Sequence, residues 1–166
     1  MGPMSKTTTT PPAAIEFEPE FVDALKLLFE EKIVFNQLLG LKVTSITPDK
    51  VTGCVDMKPQ LVGHYSYNRI HGGVISACLD AMGGLACMAA IGARHMDEPP
   101  SQRLHRFSKL GTIDLRIDYL RPGISEHFEL RAEVMRLGSR VASTRMEFLG
   151  ADGKLLSTGA GAYIVS

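Results

Sequence analysis

Residues 71–93 read His-Gly-Gly-Val-Ile-Ser-Ala-Cys-Leu-Asp-Ala-Met-Gly-Gly-Leu-Ala-Cys-Met-Ala-Ala-Ile-Gly-Ala, a small-residue apolar run that contains one carboxylate, Asp80. The run is long enough to span a membrane. Its glycines and alanines, its few Val, Ile, Leu and Phe residues and the acid inside it point instead to a helix buried in a soluble core. A carboxylate is costly to bury unless something pairs with it. Gly72 and Gly73 open the run and leave backbone N–H groups bare at a helix N-terminus, where a developing oxyanion or a phosphate is stabilised. An acid in an apolar helix and bare backbone donors together suggest chemistry on a carbonyl.

Outward from this helix, the C-terminal third alternates with period two. Ile113, Leu115, Ile117 and Tyr119 share one face of a strand, and Phe128, Leu130, Ala132 and Val134 share one face of the next. Residues 141–149 and 154–165 form two more strands, joined by Gly150-Ala151-Asp152-Gly153 as a hairpin turn. Gly159 and Gly161 in the last strand suggest close approach of another backbone. On the N-terminal side, Phe21, Leu25, Leu28 and Phe29 recur at helical spacing within residues 18–31, with Pro19 in the first turn. A short helix over 33–39 stops at Gly40, and strands follow over 41–46 and 51–57. Residues 63–70 read as a loop. The polar connection over 94–111 is long for a compact domain and suggests a lid or a mobile loop. The pattern predicts an α+β domain over residues 16–166: one curved antiparallel sheet wrapped around a long central helix, behind a disordered tail at 1–15.

Composition narrows the function. The chain has 166 residues with 18 basic and 18 acidic side chains, so no overall field draws in nucleic acid or an anionic membrane. It has no Trp on which bases could stack. Cys54, Cys78 and Cys87 are an odd count without close pairing, which fits a reduced, cytoplasmic chain and small apolar filler. Residues 1–15 are Thr/Pro-rich and lack the apolar stretch of a signal peptide. His95, Asp97, Glu98 and His105 match no zinc spacing, and no nucleophile elbow, phosphate loop or dinucleotide fingerprint is present. Neither a metal nor a cofactor is expected.

His71 and Asp80 are nine residues apart, about 13 Å of helical rise and half a turn, so they cannot touch within one helix. Either they have separate jobs or they meet across a two-fold dimer, where the helix start of one subunit faces the mid-helix acid of the other. The dimer reading is preferred.

The stretch from Asn68 through His71-Gly72-Gly73 to Asp80 resembles the signature of the hotdog-fold acyl-CoA thioesterases, and residues 112–122, Thr-Ile-Asp-Leu-Arg-Ile-Asp-Tyr-Leu-Arg-Pro, resemble that family's next strand. The closest group is the phenylacetic-acid-degradation thioesterases and the human thioesterase superfamily member 2 type. The likeness covers about residues 35–165. It implies hydrolysis of acyl-CoA or aryl-acyl-CoA to acid and free thiol in a homodimer or a dimer of dimers, with coenzyme A as part of the substrate. It implies that Asp80 is the general base or the nucleophile, that the Gly72 N–H binds the thioester oxygen, that His71 flanks the site and that Thr112 orients water. Asp80 and Thr112 would come from one subunit, His71 and Gly72 from its partner. Gly73 stands beside the oxyanion donor. The family's Asn about six residues before the His is Tyr65 here, with Asn68 and His64 as nearby substitutes. Simple alternation points Thr112 away from the Ile113/Leu115 face, so it reaches the site only from a strand end or a dimer seam. Arg136, Gly138 and Arg140 form a turn whose guanidinium forks suit the phosphates of coenzyme A; Arg121 is a weaker candidate. The competing reading is a non-catalytic acyl-CoA sensor on the same scaffold, which would gain nothing from an acid beside a carbonyl.

Overall fold

The computed structural model describes residues 14–166; most of the tail expected at 1–15 lies outside them. Helix α1 (Pro19–Leu27) starts on a proline that needs no N–H partner and buries Phe21 and Leu25. Its last turn widens: Ile33 N–H reaches back five residues to Leu28 O, so the single helix expected over 18–31 becomes a helix plus one π-type turn. Helix α2 (Val34–Leu39) ends on Gly40, whose φ of 75° is the left-handed conformation that glycine adopts without strain.

Strands β1 (Lys42–Ile46) and β2 (Val51–Asp56) form a hairpin. Residues 63–70, expected as a loop, fall in a second small hairpin of β3 (Val62–His64) and β4 (Arg69–Ile70), turned at Asn68 in the left-handed region, φ 49°. Its two-residue pairing is too short to show as alternation. Helix α3 (Gly72–Arg94) spans 23 residues, a length of about 34 Å. It is long and apolar enough to cross a membrane, yet most of it is buried against the sheet; Leu79, Met82 and Leu85 are fully covered. Burial of each such side chain contributes roughly 1.5–3 kcal/mol. The chain then forms helix α4 (Pro100–His105) and strands β5 (Gly111–Tyr119), β6 (His127–Leu137), β7 (Val141–Gly150) and β8 (Leu155–Ile164).

The main sheet is six-stranded and antiparallel, in the order β1-β2-β6-β7-β8-β5. Alternation on its inner face follows the sequence: Phe128, Leu130 and Ala132 are buried between the exposed Glu129 and Arg131, and Ala142, Met146 and Phe148 are buried on β7. Ala142 packs in a smaller cluster with Cys87 and Tyr163, and the rest of these faces close on α3 and make one core with α1. The result is the α+β architecture expected, a sheet wrapped around a central helix.

The connection after α3 is not a free lid. Arg103 is completely buried; its guanidinium bonds Glu18 at 2.5 Å and lies 4.4 Å from the Phe21 ring centroid, which fastens α4 to α1. Phe107 is buried against the same Phe21 ring, with 6.4 Å between centroids. At Gly159 and Gly161, where another backbone was expected to approach, the nearest groups within the chain are side chains. A Cβ at either would meet side chains, with Ile117 and Met146 nearest at one and Tyr163 and Thr144 at the other. The three cysteines are free thiols, and burial raises Cys78 and Cys87 to about 12, which makes them inert filler.

His127 opens β6 between two carboxylates, with Nδ1 2.8 Å from Asp56 and Nε2 3.0 Å from Glu129. Only the imidazolium can donate to both, and these hydrogen bonds, Asp56 first, raise its pKa above 6.5. Its stabilising contribution is complete below the unfolded-state pKa and disappears as pH rises through the higher folded value. Melts of wild type and His127→Gln across pH 5–9 are expected to differ at low pH and converge at high pH. The gap stays below about 1 kcal/mol because the pair is solvent-screened.

Candidate active site

Asp80 lies in the third turn of α3, half-buried, in a cavity of about 290 Å³. Its Oδ1 accepts a hydrogen bond from Thr112 Oγ1 at 2.7 Å. The Tyr163 hydroxyl stands 3.2 Å from the same Oδ1 and 2.9 Å from the Asp80 carbonyl oxygen, sharing one proton between them. Asp80 Oδ2 has no hydrogen-bond partner among the described residues. One carboxylate oxygen is therefore clamped and the other is available. Burial, then the charge of Asp80, pushes the Tyr163 phenol far up, so it stays protonated and remains a donor.

A β-bulge brings Thr112 here. Thr112 pairs with Tyr163 and Asp114 with Ala162, so Ile113 is an extra residue in β5. The slip puts Thr112 on the same face as Leu115 and Ile117, and leaves Ile113 58% exposed. The expected Ile113/Leu115/Ile117 face is thus corrected at its first member. Thr112 reaches Asp80 within one protomer, without a dimer seam.

Tyr163 was not singled out in the sequence. The available signal is its position as the one aromatic residue in a strand of small ones, Ser157-Thr158-Gly159-Ala160-Gly161-Ala162. It crosses α3 over Gly83, where a Cβ would collide with the Tyr163 hydroxyl. Gly83→Ala is expected to destabilise the fold by about 1–3 kcal/mol through overpacking, even though Ala favours a helix over Gly by up to ~1 kcal/mol. Urea titration checks the sign.

The N-terminal end of α3 carries the other half of the expected site. His71 is the N-cap: its Nδ1 accepts from Gly73 N–H at 2.8 Å. Gly73 therefore has no bare donor to offer. Gly72 N–H, at the first helical position, has no acceptor among the described residues. Tyr119, also missed in the sequence, donates to Gly72 O at 2.9 Å, with its ring 3.2 Å from where a Gly72 Cβ would stand. Gly72 and Asp80 are about 12 Å apart along the helix axis, so one protomer does not bring them together.

His71 and Gly73 line a separate, largely apolar cavity of about 550 Å³ with Leu38, Leu61 and Val74. Phe35 of α2 lines both this cavity and that of Asp80. Asn68 and Tyr65 sit exposed in the small hairpin and line neither. Arg136, Gly138 and Arg140 fall at the β6–β7 turn, which Arg94 holds against the far end of α3 through a 2.5 Å bond to Leu137 O. That is about 21 Å of rise beyond Asp80. Gly138 there lines a cavity of about 390 Å³ with Arg94, Arg106 and Lys109. Arg121 bonds Leu155 O and lines a cavity of about 370 Å³ beside Gly72. Among the described residues no group of three or more His, Cys, Asp or Glu side chains could hold a metal.

Residues 67–157 match the thioesterase superfamily. Over 145 residues the chain is 33% identical to the medium/long-chain acyl-CoA thioesterase YigI of Escherichia coli (strain K12), covering 86% of this chain and 94% of that one. A Shewanella oneidensis protein related to the thioesterase superfamily superposes with a TM-score of 0.82 at 35% identity, covering 90% of this chain and all of the other. A Haemophilus influenzae thioesterase, 18% identical with a TM-score of 0.69, adds to the likeness in fold alone; it covers 91% of this chain and 92% of its own. The chain belongs to the thioesterase superfamily and has its hotdog fold.

Proposed function

We propose that the protein hydrolyses acyl-CoA thioesters of medium or long chain length, with Asp80 as general base. The observation that carries this reading is the asymmetry of the Asp80 carboxylate: Thr112 and Tyr163 hold Oδ1, and Oδ2 is left for water beside an apolar cavity. Oδ2 takes a proton from water as its oxygen attacks the thioester carbon. The tetrahedral oxyanion is stabilised by a backbone N–H, an interaction worth roughly 3–4 kcal/mol per donor. Collapse expels the coenzyme A thiolate, which recovers the proton from Asp80.

The oxyanion donor in this reading is Gly72 of a second copy, since the Gly72 of the same helix is too far away. Strand β5 supports a two-fold pairing. It is a nine-residue edge strand with an unpaired row of backbone groups and exposed Ile113 and Tyr119. His71 acts through its side-chain Nδ1, as the cap that sets the start of α3. A non-catalytic acyl-CoA sensor has no use for a carboxylate held by two donors with its second oxygen free. Thiol release measured against a panel of acyl-CoAs tests the proposal: turnover by wild type supports it, and binding without turnover above background favours the sensor.

A further inference from the structure

The cavity at Asp80 extends along α3 well past the carboxylate. Asp80, Gly84 and Met88 all line it, four residues apart in succession and so on neighbouring turns of one face. Ala77 and Ala81 border the same trough. A Cβ at Gly84 would meet only Leu110 Cδ2 and Tyr163 Cε1, both at 3.9 Å. The helix backbone itself is therefore the floor one turn beyond the acid, where any larger side chain would stand in the trough. Met88, only 9% exposed, is the last α3 residue on the cavity. Phe29 and Ile33, from the widened turn after α1, also wall it. The trough is apolar apart from its Asp80–Thr112–Tyr163 corner and the Asn36 amide, which is committed to Phe29 O at 2.9 Å.

We propose that this trough receives the acyl chain, with Gly84 as its floor and Met88 as its end wall, and that these two residues set the chain length accepted. The proposal rests on the acyl-thioester reading of Asp80. Asp80 to Met88 is about 12 Å along the helix axis. An extended chain advances about 1.2 Å per bond, from the ~3.5 Å that a three-bond residue spans. The trough thus accommodates an acyl chain of about ten carbons.

The test is the profile of kcat/KM over straight-chain acyl-CoAs from four to sixteen carbons, followed by thiol release. Wild type is expected to peak near ten carbons. Gly84→Val places two methyls on the floor and is expected to lower the decanoyl-to-butyryl ratio at least tenfold, the scale on which a hydrophobic pocket discriminates. Met88→Ala is expected to move the peak to longer chains. Gly84→Ala gives a smaller shift in the same direction as Gly84→Val and keeps the test open should the valine variant fail to fold. Folded Gly84 and Met88 variants with the wild-type profile would overturn the proposal. Asp80→Asn tells whether the hydrolase reading stands in that event, because it loses turnover if the acid is the base. A profile that moves with Leu38→Ala, which lines only the cavity around His71, but not with Gly84 or Met88 places the chain in that cavity and also overturns the proposal. Absence of any acyl-CoA cleavage by wild type removes both readings together.

Discussion

Asp80→Asn is expected to lower kcat by about 10²–10⁴-fold, the usual contribution of a positioned general base, with the melting temperature close to wild type. The amide keeps a carbonyl oxygen to accept from Thr112 Oγ1 and Tyr163 Oη, the two donors that hold Oδ1 in the native protein. What it loses is the ability to take a proton at the other position. The variant therefore separates proton transfer from architecture, which Asp80→Ala does not. Thiol release under saturating acyl-CoA reads kcat, and a parallel titration reads binding. A rate within tenfold of wild type would remove Asp80 from the chemistry.

The second large effect is expected at Gly72, tested through its backbone. Gly72 is the first helical residue of α3, where proline is well tolerated. The preceding residue, His71, has φ −67° and ψ 134°, the extended conformation that a following proline requires. Gly72→Pro thus deletes the N–H while the helix start can persist. Gly72→Ala is the control: it keeps the N–H and adds the same Cβ, 3.2 Å from the ring of the exposed Tyr119. The proline variant is expected to turn over 10²–10³-fold more slowly than the alanine variant, the cost of losing one oxyanion donor. Equal rates would place the oxyanion elsewhere. If the site spans two copies, mixing Gly72→Pro with Asp80→Asn would restore part of the activity in heterodimers, where one of the two composite sites is intact.

The architecture was legible because its largest elements announce themselves locally. The 71–93 run is apolar on every side, so it must be central, and β6 alternates so regularly that its buried face could be named residue by residue. The candidate site was legible only in outline. Asp80 and Gly72 stood out as an acid in an apolar helix and a glycine at its start. Tyr163 did not, because its role depends on crossing α3 at Gly83, 80 positions away in the chain. Thr112 was assigned to the wrong face, since one extra residue in β5 reverses inward and outward for everything before it.

Hydropathic period and residue size, properties of neighbours along the chain, were enough to establish the central helix, the antiparallel sheet and the acid between them. The bulge at Ile113, the His71 cap that occupies Gly73 N–H, the clamp on one oxygen of Asp80 and the trough that ends at Met88 came only with the tertiary structure. Each depends on the distance between groups far apart in the chain, and such distances are set by how whole elements pack, which no local pattern encodes.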